Sequence, residues 1–432
     1  MSNNSDADTM MPPQKKRGGV SETLQVALPM ALSMSFDTLM TFVDRIYLSQ
    51  LGSEQMNAAL AGGTAQFMLQ TFFIGLTGYS SAMVAQNLGA GKLWRCAPTL
   101  AQAVWVALLA YPILLLLKPI VYLMFDRAGI DPVQLAPQIQ YFDILIYGSF
   151  LGLLRHTFGC FFSGIGETRV VMQASFVGLL VNCGMNYVLI FGKFGFPALG
   201  IRGAALGTLF AGLVILGILA SRFFCRKYRD RFGTTHCWTF HRNLFVLLVR
   251  KGAPSGLEML LNLLAFQCMI LIFQGQGQAV ATAATIMFTW DSMSFMPLIG
   301  LEIASASLVG RYVGARDMAA AQRTSRSGVK LGLIYSVVVL IAFVGFPHYL
   351  VDLFRPDPVD ASFLAGKDLA TFLVRLVAVY LTTESIMVVY SGALRGAGDT
   401  FWVLCAMVSL QWLLVFFLWF AMDVLRLNPG TT

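Results

Sequence analysis

Eleven stretches of this chain are long enough and apolar enough to cross a bilayer, and that pattern restricts the fold more than any motif does. They cover residues 24–50, 58–86, 99–125, 138–163, 170–192, 202–224, 247–274, 279–309, 328–353, 369–394 and 402–425. Each exceeds the roughly 20 residues a helix needs to cross the hydrocarbon. They are continuously apolar, whereas strands of an outer-membrane barrel are about ten residues long and alternate. Composition agrees: 57% of the 432 residues are hydrophobic and 12% are charged, against about 25% charged in a soluble domain. The pattern predicts an all-α polytopic membrane protein.

Orientation follows from Lys and Arg. The first twenty residues are polar, show no cleavable signal, and carry Lys15, Lys16 and Arg17 just ahead of the first span; residues 1–20 read as a disordered cytoplasmic tail. With the N-terminus inside, 20 Lys and Arg fall on the cytoplasmic side and six on the other. The positive-inside rule therefore predicts an N-in protein. The formal charge of +8 needs no nucleic-acid partner, because the basic stretch "SRFFCRKYRDR" reads as part of a cytoplasmic connector over 226–245. The seven cysteines show no paired spacing in external loops and read as free thiols. Cys237 sits between His236 and His241 in "HCWTFH", but no further ligands cluster there, so a plain loop is the simpler reading and no resident metal is expected.

The chain also repeats itself. At a shift of 225, Pro29 falls on Pro254, Gly52 on Gly277, and Gly89–Ala90 on Gly314–Ala315; "GIGET" (164–168) matches "GAGDT" (396–400) at a shift of 232. Six spans lie within one shift, so both copies enter from the same side. Parallel repeats of this kind form two bundles related by an axis along the membrane normal. The expectation is an N-lobe over 21–225 with six helices and a C-lobe over 246–432 with helices 7–11, the second copy lacking its last helix. The acids are not duplicated: Glu258 falls on Ser33, Glu384 on Gly152 and Asp44 on Met269.

Those acids are the candidate site. A charge at mid-bilayer costs roughly 2.5–3.5 kcal/mol on insertion scales, so it must face protein or water. Asp37 and Asp44 are seven apart on the first helix. Asn182 with Asn186, and Glu258 with Asn262, are each four apart, and Glu384 sits mid-span in "YLTTESIMVVYSG". Such groups can pass a proton or offer hard oxygens to an alkali cation. The structural alternative is that each acid pairs with a buried base such as Arg45, Arg155 or Arg375. Asp291 and Glu302 of the eighth helix divide evenly between the two readings. Pro29, Pro254 and Pro297 lie at membrane depth and are hinge candidates, static kinks being the alternative. Abundant Met and Phe suit lipid, core or a pocket for flat cations. "GAGKLW" lacks the glycine and hydroxyl spacing of a phosphate loop, and neither HExxH nor GxSxG occurs, so an enzyme is not expected.

The residues "TFVDRIYLSQLG", "VAQNLGAGK", "NYVLIFGKFGFPALGIRGAALGT", "GAPSGLEM" and "YSGALRGAGDT" together resemble the multidrug and toxic compound extrusion (MATE) transporters, in their NorM-like branch, over nearly all of residues 20–425. The resemblance implies a twelve-helix, two-lobe monomer exporting organic cations and drugs in exchange for Na+ or H+ by alternating access, with no other cofactor. It also implies ion-coupling acids at Asp44, Glu258 and Glu384, with a Na+ held between Glu258 and an opposing Glu384. Where that branch often has aspartate, Glu384 is one methylene longer. Two other readings are a lipid-linked sugar flippase, whose cavity would need basic residues for pyrophosphate, and a membrane scaffold, which would need no buried acids.

Overall fold

The computed structural model describes residues 17–127, 132–354 and 361–424. Among them, ten helices are long and apolar enough to cross a membrane, and a bent pair makes an eleventh span. In chain order the first set is α1 (Val20–Ser49), α2 (Ser53–Gly89), α3 (Cys96–Arg127), α4 (Pro132–Tyr147), α5 (Ser149–Gly164), α6 (Thr168–Phe191) and α7 (Ile201–Phe224). A short α8 (Arg226–Phe232) leads to the second set: α9 (Arg242–Gly275), α10 (Gln278–Gly314), α11 (Met318–Gly345), short α12 (Pro347–Asp352), α13 (Ala361–Ala397) and α14 (Thr400–Trp419). Large apolar side chains such as Leu116 (77% exposed) and Leu413 (68%) point outward, as a surface meeting lipid requires.

Two spans differ from expectation. The fourth is bent by 48° between α4 and α5. Gly148 stands at the break, and the carbonyls released there are satisfied: Tyr111 Oη donates to Tyr147 O (3.1 Å) and Gln70 Nε2 to Ser149 O (2.6 Å). The ninth span, expected over 328–353, is α11 over Met318–Gly345. Asp317 starts it early by accepting the Ala320 N–H (3.0 Å), and Pro347 opens the separate α12. The basic first turns, with Arg323, Arg326 and Lys330, conceal that start from an apolar-window reading.

Apolar clusters follow the two sets. One joins α1–α3, α5–α7 and the connector through Phe161, Phe162, Phe223, Tyr228 and Phe232; another unites α9–α14 through Phe273, Phe288, Val374 and Leu381. Smaller clusters cross between the sets, one placing Val26 and Ala27 of α1 against Leu301, Ala304 and Leu308 of α10. The basic connector is thus docked rather than loose. Tyr228 and Phe232 of α8 are buried against Phe161 and Phe162 at ring distances of 5.5–5.6 Å, while Arg226 and Arg229 face out. It ends at Arg242, where α9 begins, short of the expected residue 245.

Part of the expected tail is anchored as well. Ser327 Oγ donates to Gly18 O (2.8 Å), and Gly18 N–H donates to Glu22 Oε2 (2.8 Å). Residues 1–16, with Lys15 and Lys16, lie outside the described residues, as do Arg355 and residues 425–432 with "RLNPGTT".

Candidate functional site: buried carboxylates in two helix sets

Asp37 and Asp44 are two turns apart on α1 yet meet different chemistry. Asp37, half-buried, pairs with Arg155 of α5 at 3.1 Å. Asp44 is 6% exposed and bonds to the Asn186 side-chain amide of α6. Its other oxygen accepts from Thr208 Oγ1 of α7 at 3.0 Å. Asn186 also reaches Asn182 Oδ1 (3.3 Å), so the four-residue spacing read in the sequence does line one face of α6 toward Asp44. Among the described residues no Lys or Arg makes an ion pair with Asp44, and adjacent Arg45 is exposed. Asn182 Nδ2 and Asn186 Oδ1 are buried with no protein partner. Amides and a hydroxyl around one carboxylate, with orphaned polar atoms beside it, make a pocket of hard donors.

The second set divides its acids between two places. Glu258 of α9 is buried and bound to Arg395 of α13 at 2.8 Å; the same guanidinium reaches Glu302 of α10 at 2.7 Å, and Ser391 Oγ donates to Glu302 (3.1 Å). Two carboxylates share one fixed cation. Ser255 Oγ, Glu258 Oε2 and Asn262 Oδ1, at positions i, i+3 and i+7 along α9, have no hydrogen-bond partner among the described residues. Glu384 lies elsewhere. Its electrostatic neighbour is Asp291 of α10, whose carboxylate accepts from Tyr380 Oη one turn before Glu384 on α13; Glu384 Oε2 is likewise unpartnered.

Eleven residues, about 16 Å of helix, separate Glu384 from the arginine that holds Glu258. In the structure Glu258 pairs with Arg395 and Glu302, and Glu384 groups with Asp291 and Tyr380. Pro29, Pro254 and Pro297 lie inside unbroken α1, α9 and α10.

Polar contacts between the two sets gather where α1 begins and α2, α5, α10 and α13 end. Tyr312 Oη donates to Glu22 (2.7 Å), Arg311 Nη2 to Ile165 O (3.1 Å), Ser307 Oγ to Ser163 O (2.6 Å) and Gln86 Nε2 to Gly396 O (2.7 Å). Backbones also approach here: a Cβ on Gly89 would strike Arg311 O, and one on Gly314 would strike Gln86 O. A second set of approaches places Gly75 against Gly256 and Gly300 against Ala31.

Thr208, Arg395 and Tyr380 are site residues that sequence reasoning missed as such. Tyr380 had a signal, its four-residue spacing from Glu384. Arg395 sits two residues from the end of α13 and reads as a loop charge until its long side chain is seen to reach inward. The "HCWTFH" residues do not converge: Cys237 Sγ donates to Thr234 O (3.1 Å) while the His241 ring contacts Thr239 (3.0 Å). All seven cysteines are free thiols.

A multi-pass helical protein with buried carboxylates in two helix sets has the build of a secondary transporter, not of an enzyme. The MatE family model matches residues 29–188 and 254–420, two segments that begin at Pro29 and Pro254, one repeat shift apart. The chain belongs to the MatE family, the multidrug and toxic compound extrusion transporters. It is 27% identical over 380 residues to the multidrug resistance protein NorM of Photobacterium profundum, covering 88% of this chain and 82% of that one. A probable NorM of Rhizobium meliloti is 29% identical over 368 residues, covering 83% and 76%. A crystal structure of MATE in the straight conformation superposes with a TM-score of 0.86 at 20% identity, covering 97% of this chain and 93% of that one.

Proposed function

We propose that this protein exports organic cations and drugs in exchange for Na+ or H+ by alternating access, as a monomer in a bacterial inner membrane with its N-terminus inside. The observation that carries the reading is the environment of Asp44: a buried carboxylate whose polar partners are Asn186 and Thr208, with no ion-paired base among the described residues. A buried ionised carboxylate needs a positive partner. A proton or alkali ion arriving from solution supplies it, and the amide oxygens of Asn182 and Asn186 offer further ligands. Glu384 with Asp291 is a second such place, and Tyr380 beside them gives a flat cation an aromatic face.

Movement has a structural counterpart in this proposal. Two pseudo-symmetric helix bundles, an N-lobe and a C-lobe, rock about the seam where α2 meets α9 and α1 meets α10. The reciprocal glycine contacts, matched at the 225-residue shift, support that symmetry. Pro29, Pro254 and Pro297 each remove a backbone hydrogen bond from a helix at that seam and serve as hinges.

A sugar-lipid flippase is disfavoured because two of the inward basic residues are already committed, Arg155 to Asp37 and Arg395 to Glu258 and Glu302. A scaffold gains nothing from an unpaired Asp44.

The test is ethidium efflux from proteoliposomes under an imposed Na+ or pH gradient, with Glu384→Gln and Glu258→Gln in parallel. Gradient-driven efflux that collapses in Glu384→Gln supports the reading and identifies the ion. Well-folded wild type that moves no organic cation under either gradient overturns it.

A further inference from the structure

At the starts of α3 and α9, which the positive-inside reading puts on the cytoplasmic side, lies a cleft of about 420 Å³. Arg95, Arg242 and His241 supply its polar wall; Trp94, Phe240 and Leu247 supply much of the rest, and no Asp or Glu lines it. Trp94 and Phe240 are 62% and 55% exposed. The Arg95 guanidinium stacks over Trp94 at 4.7 Å. Among the described residues neither Arg95 nor Arg242 has an acidic partner, unlike Arg226 and Arg229 of the same face, which both pair with Asp230.

The wall is built in advance. Gln102 of α3, fully buried, clamps the loop with both ends of its amide: Nε2 donates to Thr239 O (3.1 Å) and Oε1 accepts the His241 N–H (3.1 Å). Leu248 and Phe245 of α9 pack beneath it onto Leu76, Ala103 and Val106. The cleft therefore needs no rearrangement to accept a ligand.

We infer that this cleft binds the headgroup of an anionic phospholipid from the cytoplasmic leaflet. A stacked guanidinium keeps its N–H edge free for phosphate oxygens, and a second one across the cleft matches a diester with a further anionic or hydroxylated group. Exposed Trp94 and Phe240 beside the basic groups suit the membrane interface, where aromatic rings are favoured. Leu244 and Leu247 continue the cleft along the face of α9, giving acyl chains an apolar path that free phosphate would not use. Basic pockets between transmembrane helices at this depth are suited to anionic headgroups. Because α3 and α9 belong to different helix sets, a bound lipid would bridge them.

The experiment is native mass spectrometry of the detergent-purified full chain titrated with dioleoylphosphatidylglycerol, and separately with dioleoylphosphatidylcholine. The comparison is between wild type, Arg95→Gln with Arg242→Gln, and Arg226→Gln with Arg229→Gln. The cleft variant should bind phosphatidylglycerol roughly 30-fold more weakly, the effect of two basic residues at a charged membrane surface, with phosphatidylcholine binding unchanged and the α8 variant like wild type. Equal phosphatidylglycerol binding in wild type and the cleft variant overturns the inference, as does an equal loss in the α8 variant, which would mean a diffuse basic face. Displacement of the lipid by millimolar inorganic phosphate overturns the lipid assignment in favour of a free-anion site. Equal thermal midpoints without lipid establish that the variants are folded.

Discussion

Gly89 and Gly314, 225 residues apart, pack reciprocally: Gly89 lies against the backbone of Arg311 and Gly314 against that of Gln86, itself 225 residues before Arg311. Such an exchange is what a two-fold axis produces between identical patches, here within one chain. The contact closes the C-terminal ends of α2 and α10 against each other. Gly89→Ala or Gly314→Ala puts a methyl group into a backbone carbonyl and should weaken this closure by about 1–3 kcal/mol. Thiol labelling of a cysteine introduced at Ser307, beside the closure, should rise in either variant; unchanged labelling in both would show that the glycines do not set the closed state.

Arg395 holds two carboxylates, and that predicts an asymmetric mutational pattern. Arg395→Gln leaves Glu258 and Glu302 facing each other without their cation and should cost about 2–4 kcal/mol, somewhat less than loss of a fully buried partner because Arg395 keeps 28% exposure. Adding Glu258→Gln to that variant should recover more than half of the loss. Thermal unfolding in detergent measures the cycle; additive losses would mean that Glu258 and Arg395 act independently.

Cys237 gives a pH prediction outside the membrane. Burial in the connector pushes its thiol from 9.0 up to about 11. A raised folded value means that the neutral thiol is favoured by the fold, so its contribution to stability is complete below pH 9 and is lost as pH climbs through about 11. The thermal midpoint of wild type should fall relative to Cys237→Ala across that window. At pH 8, maleimide should modify Cys237 in the folded protein at least about 100-fold more slowly than after denaturation.

The sequence carried the architecture because bilayer insertion selects long apolar runs, and each of the eleven expected spans overlaps an observed helix or the bent pair. Its one early helix start has a clear cause. Apolar windows do not see polar helix turns, so α11 starts ten residues before its expected span, at an Asp317 cap among arginines. Asp44, Asn182 and Asn186 were legible because spacing on a helix determines a face. Partner choice was not. Whether Glu258 meets Glu384 or Arg395 depends on relative helix heights, and long side chains reach across more than a turn. The family resemblance pointed to the acids and to Glu258 opposite Glu384, whereas the Arg395 and Glu302 partners of Glu258 came only from the structure.

Asp44 offers the sharpest separation of a coupling acid from a structural one, because Asp37 on the same helix is its internal control. Asp37 is half-exposed and paired to Arg155, so Asp37→Asn should cost no more than about 1 kcal/mol of stability and leave most transport intact. Asp44→Asn keeps the size of the side chain and removes the charge from a pocket of Asn182, Asn186 and Thr208. Gradient-driven efflux should fall at least about tenfold while the thermal midpoint holds or rises, since a buried unpaired charge has gone. Thr208→Val, which removes one donor and keeps the charge, should lower efflux a few-fold and weaken its dependence on the driving ion. Wild-type efflux from Asp44→Asn, with the same ion dependence, would place coupling entirely in the second helix set, at Glu384 and Asp291.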